Sequence, residues 1–222
     1  MKIAILGYGK MGKKINELAS IRGHHVVCKA NSSNPAQLID FSTADVAIDF
    51  SLPTTAFKNI SHAINSGIPI ISGTTGWLDK LNEIKKLCKN KNGTFLYASN
   101  FSLGVNIFFE INKKLAKLMK NKDYKYKIHE VHHNQKIDSP SGTAITLAAQ
   151  MEKILKNKKV VISSERTNDI VGTHQIIYSS ELDKIEIKHT AISRDGFALG
   201  AIIAAEWIKD KKGIYNLKDI FL

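Results

Sequence analysis

Between Glu130 and Ala144 the chain reads Glu-Val-His-His-Asn-Gln-Lys-Ile-Asp-Ser-Pro-Ser-Gly-Thr-Ala. Two histidines and a lysine in so short a stretch are groups that bind anions and move protons near neutral pH. Upstream, Tyr124 to His132 alternates as a strand does, with Tyr126, Ile128, Glu130 and His132 on one face and Lys125, Lys127, His129 and Val131 on the other. Asp138, Ser139, Pro140 and Gly142 break that strand, and from Ala144 to Leu155 the apolar spacing is helical. Ser141, Gly142 and Thr143 therefore fall at a helix N-terminus, where unpaired N–H groups and the positive end of the dipole favour a carboxylate or phosphate. Alone, such a turn is only a cap and a histidine pair at a strand end only surface decoration. Their coincidence with Lys136 points to a site for a small anion, with proton transfer beside it. His132 and His133 share that site only if the strand ends between them and the Asn134-Gln135 loop. No metal is expected, because His129 and His132 lie on opposite faces and Cys28 and Cys88 fall elsewhere.

These residues need a scaffold, and the start of the chain supplies one. Lys2 to Leu6 is a short apolar strand, followed by Gly7-Tyr-Gly-Lys-Met-Gly12 and a helix through Ala19. Gly-x-Gly-x-x-Gly placed after a strand and before a helix is the first turn of a Rossmann unit: the early glycines allow the tight turn and close pyrophosphate approach, and Gly12 lets helix pack on strand. Strands at His25–Ala30, Val46–Phe50, Pro69–Ser72 and Thr94–Ala98 alternate with helices at Thr55–Ser66 and Leu78–Asn90. That alternation predicts a doubly wound parallel α/β sheet whose ligands sit at the carboxyl ends of the strands. Gly7, Tyr8, Gly9, Lys10, Met11, Gly12, Ser51, Gly73, Thr74, Thr75, Ala98, Ser99, Asn100 and Phe101 lie on that rim and are the candidate cofactor contacts. The expected cofactor is NADPH and/or NADH. An acid at the end of the second strand would select NAD, yet the chain there reads Lys29-Ala-Asn-Ser-Ser33. NADPH should therefore be used at least as well as NADH, with Lys29, Ser32 and Ser33 at the phosphate and Lys10 a second nearby cation.

Beyond Phe101 the pattern changes to a helix (Val105–Lys120), the motif strand, the helix after Thr143, and extended runs at Val160–Ser163, His174–Ser179 and Ile185–Thr190. This reads as a second α+β domain with a mixed sheet. A small-residue helix, Phe197–Ile208, follows. The 222 residues, 43% hydrophobic, suffice for a real core in one large or two small domains. No apolar run reaches membrane-spanning length, and the cysteine pair has no metal-like spacing, so a reduced cytoplasmic protein is the expectation. The net charge of +12 would raise nucleic-acid binding. However, only three of the 32 basic residues are arginine (Arg22, Arg166, Arg194), which reads as a lysine bias and not as phosphate recognition; no nucleic-acid partner is expected.

The motif resembles the signature of the 4-hydroxy-tetrahydrodipicolinate reductase (dihydrodipicolinate reductase) family, Glu-x-His-x-x-x-Lys-x-Asp-x-Pro-Ser-Gly-Thr-Ala, matched here by Glu130, His132, Lys136, Asp138, Pro140, Ser141, Gly142, Thr143 and Ala144. Lys127 stands where the family has an acid. The resemblance continues through Gly73-Thr-Thr-Gly76, Ala98 to Asn106, Gly172-Thr-His174, and His189 with Arg194, Phe197, Ala198, Gly200 and Ala201. It implies NAD(P)H-dependent reduction of a small cyclic dicarboxylate to tetrahydrodipicolinate in lysine and diaminopimelate biosynthesis. It also implies a dinucleotide-binding domain of residues 1–101 plus 195–222, a substrate-binding and tetramerisation domain of residues 102–194, and a homotetramer. Under the resemblance His132 is the acid or base and Lys136 the proton donor. His133, Ser141, Gly142, Thr143 and Thr75 contact substrate. Another Rossmann oxidoreductase explains the first half of the chain but not Lys136 with Pro140 to Thr143; a catalytically silent nucleotide-binding regulator need not keep His132 and Lys136.

Overall fold

The computed structural model describes residues 1–156, 159–168 and 170–221. In chain order the elements are β1 (Lys2–Leu6), α1 (Lys10–Ile21), β2 (His25–Ala30), β3 (Val46–Asp49), α2 (Pro53–Asn65), β4 (Ile70–Ser72), α3 (Leu81–Asn90), β5 (Thr94–Tyr97), α4 (Leu103–Met119), β6 (Lys125–His132), α5 (Gly142–Ile154), β7 (Val161–Arg166), β8 (Gly172–Ser179), β9 (Lys184–Ala191), α6 (Asp195–Ile208), β10 (Gly213–Tyr215) and α7 (Lys218–Phe221). They divide into two compact units, one of Met1–Leu103 with Asp195–Leu222 and one of Gly104–Arg194.

The first unit is built on a six-stranded sheet in the order β10-β5-β4-β3-β1-β2, every pairing parallel. A parallel sheet is covered on both faces, so its central strands carry unbroken apolar runs, Ile3–Leu6, Val46–Ile48 and Ile70–Ile71, rather than alternating. Ala4, Leu6 and Ala47 pack with Ala56, Ile60, Ile64 and Ile84 of α2 and α3 on one side. Ile3, Ile5, Val46 and Ile48 pack with α1 and α6 on the other. The alanines of α6 allow close approach: a side chain at Gly200 would lie 1.9 Å from the Phe101 carbonyl oxygen. Three details depart from the sequence expectation. Helix α1 begins at Lys10, inside the glycine fingerprint, because Gly12 packs directly on Gly7. Helix α2 begins at Pro53, whose missing N–H costs nothing at the first helical position. The run from Leu78 divides into a 3₁₀ turn, Leu78–Lys80, and α3. The short strand β10 and helix α7 carry too few residues to show a period.

The second unit has a four-stranded mixed sheet in the order β7-β6-β8-β9, with β6 and β7 parallel and the other pairs antiparallel. Along β6 the alternation holds, with Tyr126, Ile128, Glu130 and His132 all buried. Helix α5 packs against β6 and β7. The buried Asn112 of α4 donates to the Leu147 carbonyl of α5 at 3.2 Å. Strand β7 runs three residues past Ser163, which brings Arg166 opposite His132, and β8 starts at Gly172. Both extensions matter for the site.

Candidate active site

The glycine turn of the first unit is fixed by sterics. Gly7 has φ of +100°, and a side chain there would meet the Phe50 carbonyl oxygen at 2.3 Å; one at Gly12 would meet the Gly7 carbonyl oxygen at 2.2 Å. Gly9 caps α1 without any side-chain hydrogen bond, and the space where its side chain would stand is open. The backbone N–H groups of the first helical turn thus face a clear approach, as a pyrophosphate requires. The residues present fit a dinucleotide. Gly9, Lys10 and Met11 line one pocket together with Ser51, Gly73, Thr74 and Thr75. Tyr8 lies half-buried beside them, and the exposed Lys29 holds its ammonium 4.9 Å from the Tyr8 ring centroid. Ala98, Ser99 and Asn100 follow β5 at the same rim, Asn100 accepting from the Ser102 N–H at 2.9 Å. The Phe101 side chain turns inward from this rim. It is buried, its ring 5.6 Å from that of Phe50, so its side chain belongs to the core beneath the site.

Sequence reasoning missed the residue that holds this rim together. Asp49, at the end of β3, is fully buried and accepts from Ser51 Oγ (2.6 Å), Asn59 Nδ2 (3.2 Å), Ser72 Oγ (2.9 Å) and Thr74 Oγ1 (2.8 Å). Thr74 Oγ1 in turn accepts from the Ser51 N–H at 2.8 Å. Burial pushes the Asp49 pKa up against the pull of these four donors. An acid closing a buried strand, followed by Ser51 and Thr74, was the available signal.

In the second unit, β6 ends at His132, so the chain turns between the two histidines. His133 lies in the following loop, its Nε2 3.1 Å from Arg194 Nη2, which adds a cation that the motif alone did not announce. Lys136 Nζ pairs with Asp138 at 2.7 Å. Burial acts to raise the Asp138 carboxyl, but Lys136 and backbone donors including Gly142 outweigh it and hold its pKa below the usual range. The donors at the start of α5 thus already favour one carboxylate. Gly142 is exposed and Thr143 half-buried there. Ser141 is buried; its hydroxyl accepts from the Ala144 N–H at 3.2 Å and lies 3.0 Å from His174 Nε2. Its hydroxyl therefore shapes the helix end from behind.

Behind this loop lies a buried network. Glu130 is fully buried, one carboxylate oxygen bonded to His132 Nδ1 and the other accepting from Arg166 Nη2 at 2.9 Å and the Ser141 N–H at 3.3 Å. Burial acts to raise the Glu130 pKa; hydrogen bonds from Ser164 and Arg166 and the nearby positive charge bring it below its ordinary value. For His132, burial pushes the pKa down, Glu130 opposes, and Lys136 and Arg166 push it further down. His174 enters from β8, its ring 5.0 Å from that of His132, and burial reinforced by His132 pushes its pKa down to about 3. Metal-capable atoms of Glu130, His132 and His174 lie within 4.8 Å of one another. The sequence argument weighed only His129, His132 and the cysteines; β8 brings His174 to the cluster as a third member across the sheet. Each of the three is already engaged by protein hydrogen bonds, so the cluster works as a hydrogen-bond network.

Two family models cover the chain: the dihydrodipicolinate reductase N-terminus over residues 1–101 and the dihydrodipicolinate reductase C-terminus over residues 104–221. The chain belongs to the dihydrodipicolinate reductase family. It is 50% identical to the 4-hydroxy-tetrahydrodipicolinate reductase of Christiangramia forsetii, over 99% of this chain and 97% of that one. It is 37% identical to the enzyme of that name from Thermosipho africanus, with the same two coverages. Among solved structures, the dipicolinate-bound dihydrodipicolinate reductase from Paenisporosarcina sp. TG-14 shares the fold, with a TM-score of 0.78 at 20% identity and 99% of each chain covered. As a member of this reductase family the protein is an NAD(P)H-dependent oxidoreductase that reduces 4-hydroxy-tetrahydrodipicolinate to tetrahydrodipicolinate, a step of lysine and diaminopimelate biosynthesis.

Proposed function

We propose that the loop from His132 to Thr143 clamps the dicarboxylate and delivers its proton. One observation carries this reading: the Asp138 carboxylate is drawn to Lys136 and the Gly142 backbone, the donor set that a substrate carboxylate would use. The Gly142 and Thr143 N–H groups receive one carboxylate, with Ser141 holding the turn, while His133 and Arg194 offer cationic and hydrogen-bonding partners nearby. The bound nicotinamide supplies a hydride. Lys136 gives the balancing proton, and His132 serves as the acid–base partner that orients and relays it. Thr75 is the proposed substrate contact from the nucleotide-binding unit.

Residues 1–101 with 195–222 bind the dinucleotide and residues 102–194 bind substrate and associate into a homotetramer. Cofactor contacts come from Gly7 to Gly12, Ser51, Gly73 to Thr75, and Ala98 to Asn100, with Lys29 toward the adenosine ribose. Among the described residues no helix is long and apolar enough to cross a membrane, and the free Cys28 and Cys88 suit a cytoplasmic setting.

Pyridine-2,6-dicarboxylate, the ligand of the Paenisporosarcina relative, presents two carboxylates without a reducible imine and should compete with substrate. Pyridine-2-carboxylate, having lost one anchor, should bind far more weakly. Equal inhibition by the two would overturn a two-carboxylate clamp. Lys136→Ala should lower kcat by about a hundredfold or more while NAD(P)H binding survives. Near-normal turnover would remove Lys136 from the mechanism.

A further inference from the structure

One guanidinium nitrogen touches the supports of both proposed proton-transfer groups. Arg166 Nη2 lies 2.9 Å from the Glu130 carboxylate and 2.7 Å from the Asp138 carbonyl oxygen. Glu130 holds His132 through Nδ1, and the Asp138 side chain holds Lys136 at 2.7 Å. We infer that Arg166 and Glu130 are positioning residues that set the tautomer of His132 and the placement of Lys136 together. This rests on the roles proposed above for His132 and Lys136.

The chemistry follows from which atoms are occupied. Glu130 faces a guanidinium and a backbone N–H on one oxygen, so it is bound as a carboxylate and its other oxygen can only accept. His132 must then place its proton on Nδ1, leaving the lone pair on Nε2. On the far side of the ring, Gly172 leaves the space that the imidazole fills: a side chain there would come within 2.9 Å of Nε2. A ring held from Nδ1 and walled at Gly172 has one orientation and one tautomer. The charged or titratable groups around it are Glu130 on β6, Arg166 on β7, His174 on β8, and Lys136 in the loop. Arg166 also ties the loop to β7. Loss of its guanidinium would free both proton-transfer groups at once. An arginine suits this place because its plane is fixed from a second arm: Nη1 donates to the Glu165 carbonyl oxygen at 2.7 Å while Nη2 reaches the carboxylate and the Asp138 carbonyl.

Four variants test the assignment: Glu130→Gln, Arg166→Ala, Arg166→Lys and His132→Gln, each checked for fold by circular dichroism and for NAD(P)H binding by fluorescence titration. Glu130→Gln should keep cofactor affinity within about twofold, lower kcat by about a hundredfold, and show a changed His132 tautomer in ¹⁵N imidazole spectra. Arg166→Ala should lower kcat by about tenfold or more, and millimolar guanidinium ion should restore part of it; wild type should gain nothing. Arg166→Lys should fall between the two. If the fold is intact and the His132 spectra of Glu130→Gln and Arg166→Ala match wild type, or guanidinium restores nothing, the inference is overturned. Normal turnover of His132→Gln would instead overturn the underlying reading of the site. If Glu130→Gln does not fold, the Arg166 pair decides alone.

Discussion

Burying a neutral imidazole links stability to pH, and His174 does so at the centre of the network. Its pKa lies near 3 in the folded protein against an ordinary 6.5. A group whose folded pKa is depressed binds its proton more readily when unfolded. The stability from holding it neutral is therefore fully present above about pH 6.5 and is lost as pH falls toward 3, by up to about 5 kcal/mol. His174→Gln keeps a partner for Ser141 without the titration, so its melting temperature should fall less steeply from pH 7 to pH 4. Parallel melting curves for the two proteins over that range would sink this account. The same network marks how far single residues were legible. His132, Lys136 and Gly142 stand together in the chain, so their types and spacing suffice. Glu130 was legible as a motif residue on the His132 face of β6 but not as the holder of His132, because Arg166 and His174 reach this network from β7 and β8. Their roles depend on strand register, which no local pattern encodes.

At the scale of elements, the periodic segments were readable because burial writes its period into the sequence: β6 alternates, while Ile3–Leu6 of β1 and Val46–Ile48 of β3 are unbroken apolar runs. What was not readable was short or shared, such as β10 with three residues, or the start of α1 inside a glycine turn. The terminus of β2 is an element whose chemistry can be tested. After Ala30 the chain closes an Asn-centred turn, with Asn31 Oδ1 accepting from the Ser33 and Asn34 N–H groups at 2.9 Å each. Lys29 stands exposed beside Tyr8, and no acid falls in this turn to repel a 2′-phosphate. NADPH should be used at least as well as NADH, with an advantage that shrinks as salt rises. Measuring kcat/KM for both cofactors at low and high salt checks this, and a preference for NADH beyond about tenfold under both conditions would refute it.

At the scale of the whole molecule, the two-unit division shows why fold class was legible and assembly was not. Alternating strands and helices announce a parallel sheet wherever they occur, whereas the open edges of β7 and β9 say only that something must blunt or cover them. The proposed homotetramer covers them with copies of the same chain. Size-exclusion chromatography with light scattering should give the mass of four chains at micromolar concentration, and a stable monomer would refute it. The division also orders the protein's birth. The apolar face formed by Ile3, Ile5, Val46, Ile48, Ile71 and Leu96 is closed by α6, whose Ala198, Ala201, Ile202, Ala204 and Ala205 are all fully buried. In the chain, α6 comes after every residue of the second unit. During synthesis the nascent nucleotide sheet must therefore wait, one greasy flank covered by α1 alone, while the ribosome makes the whole of the substrate unit. That unit can be complete first, and the chain's earliest strands are among the last to be sealed.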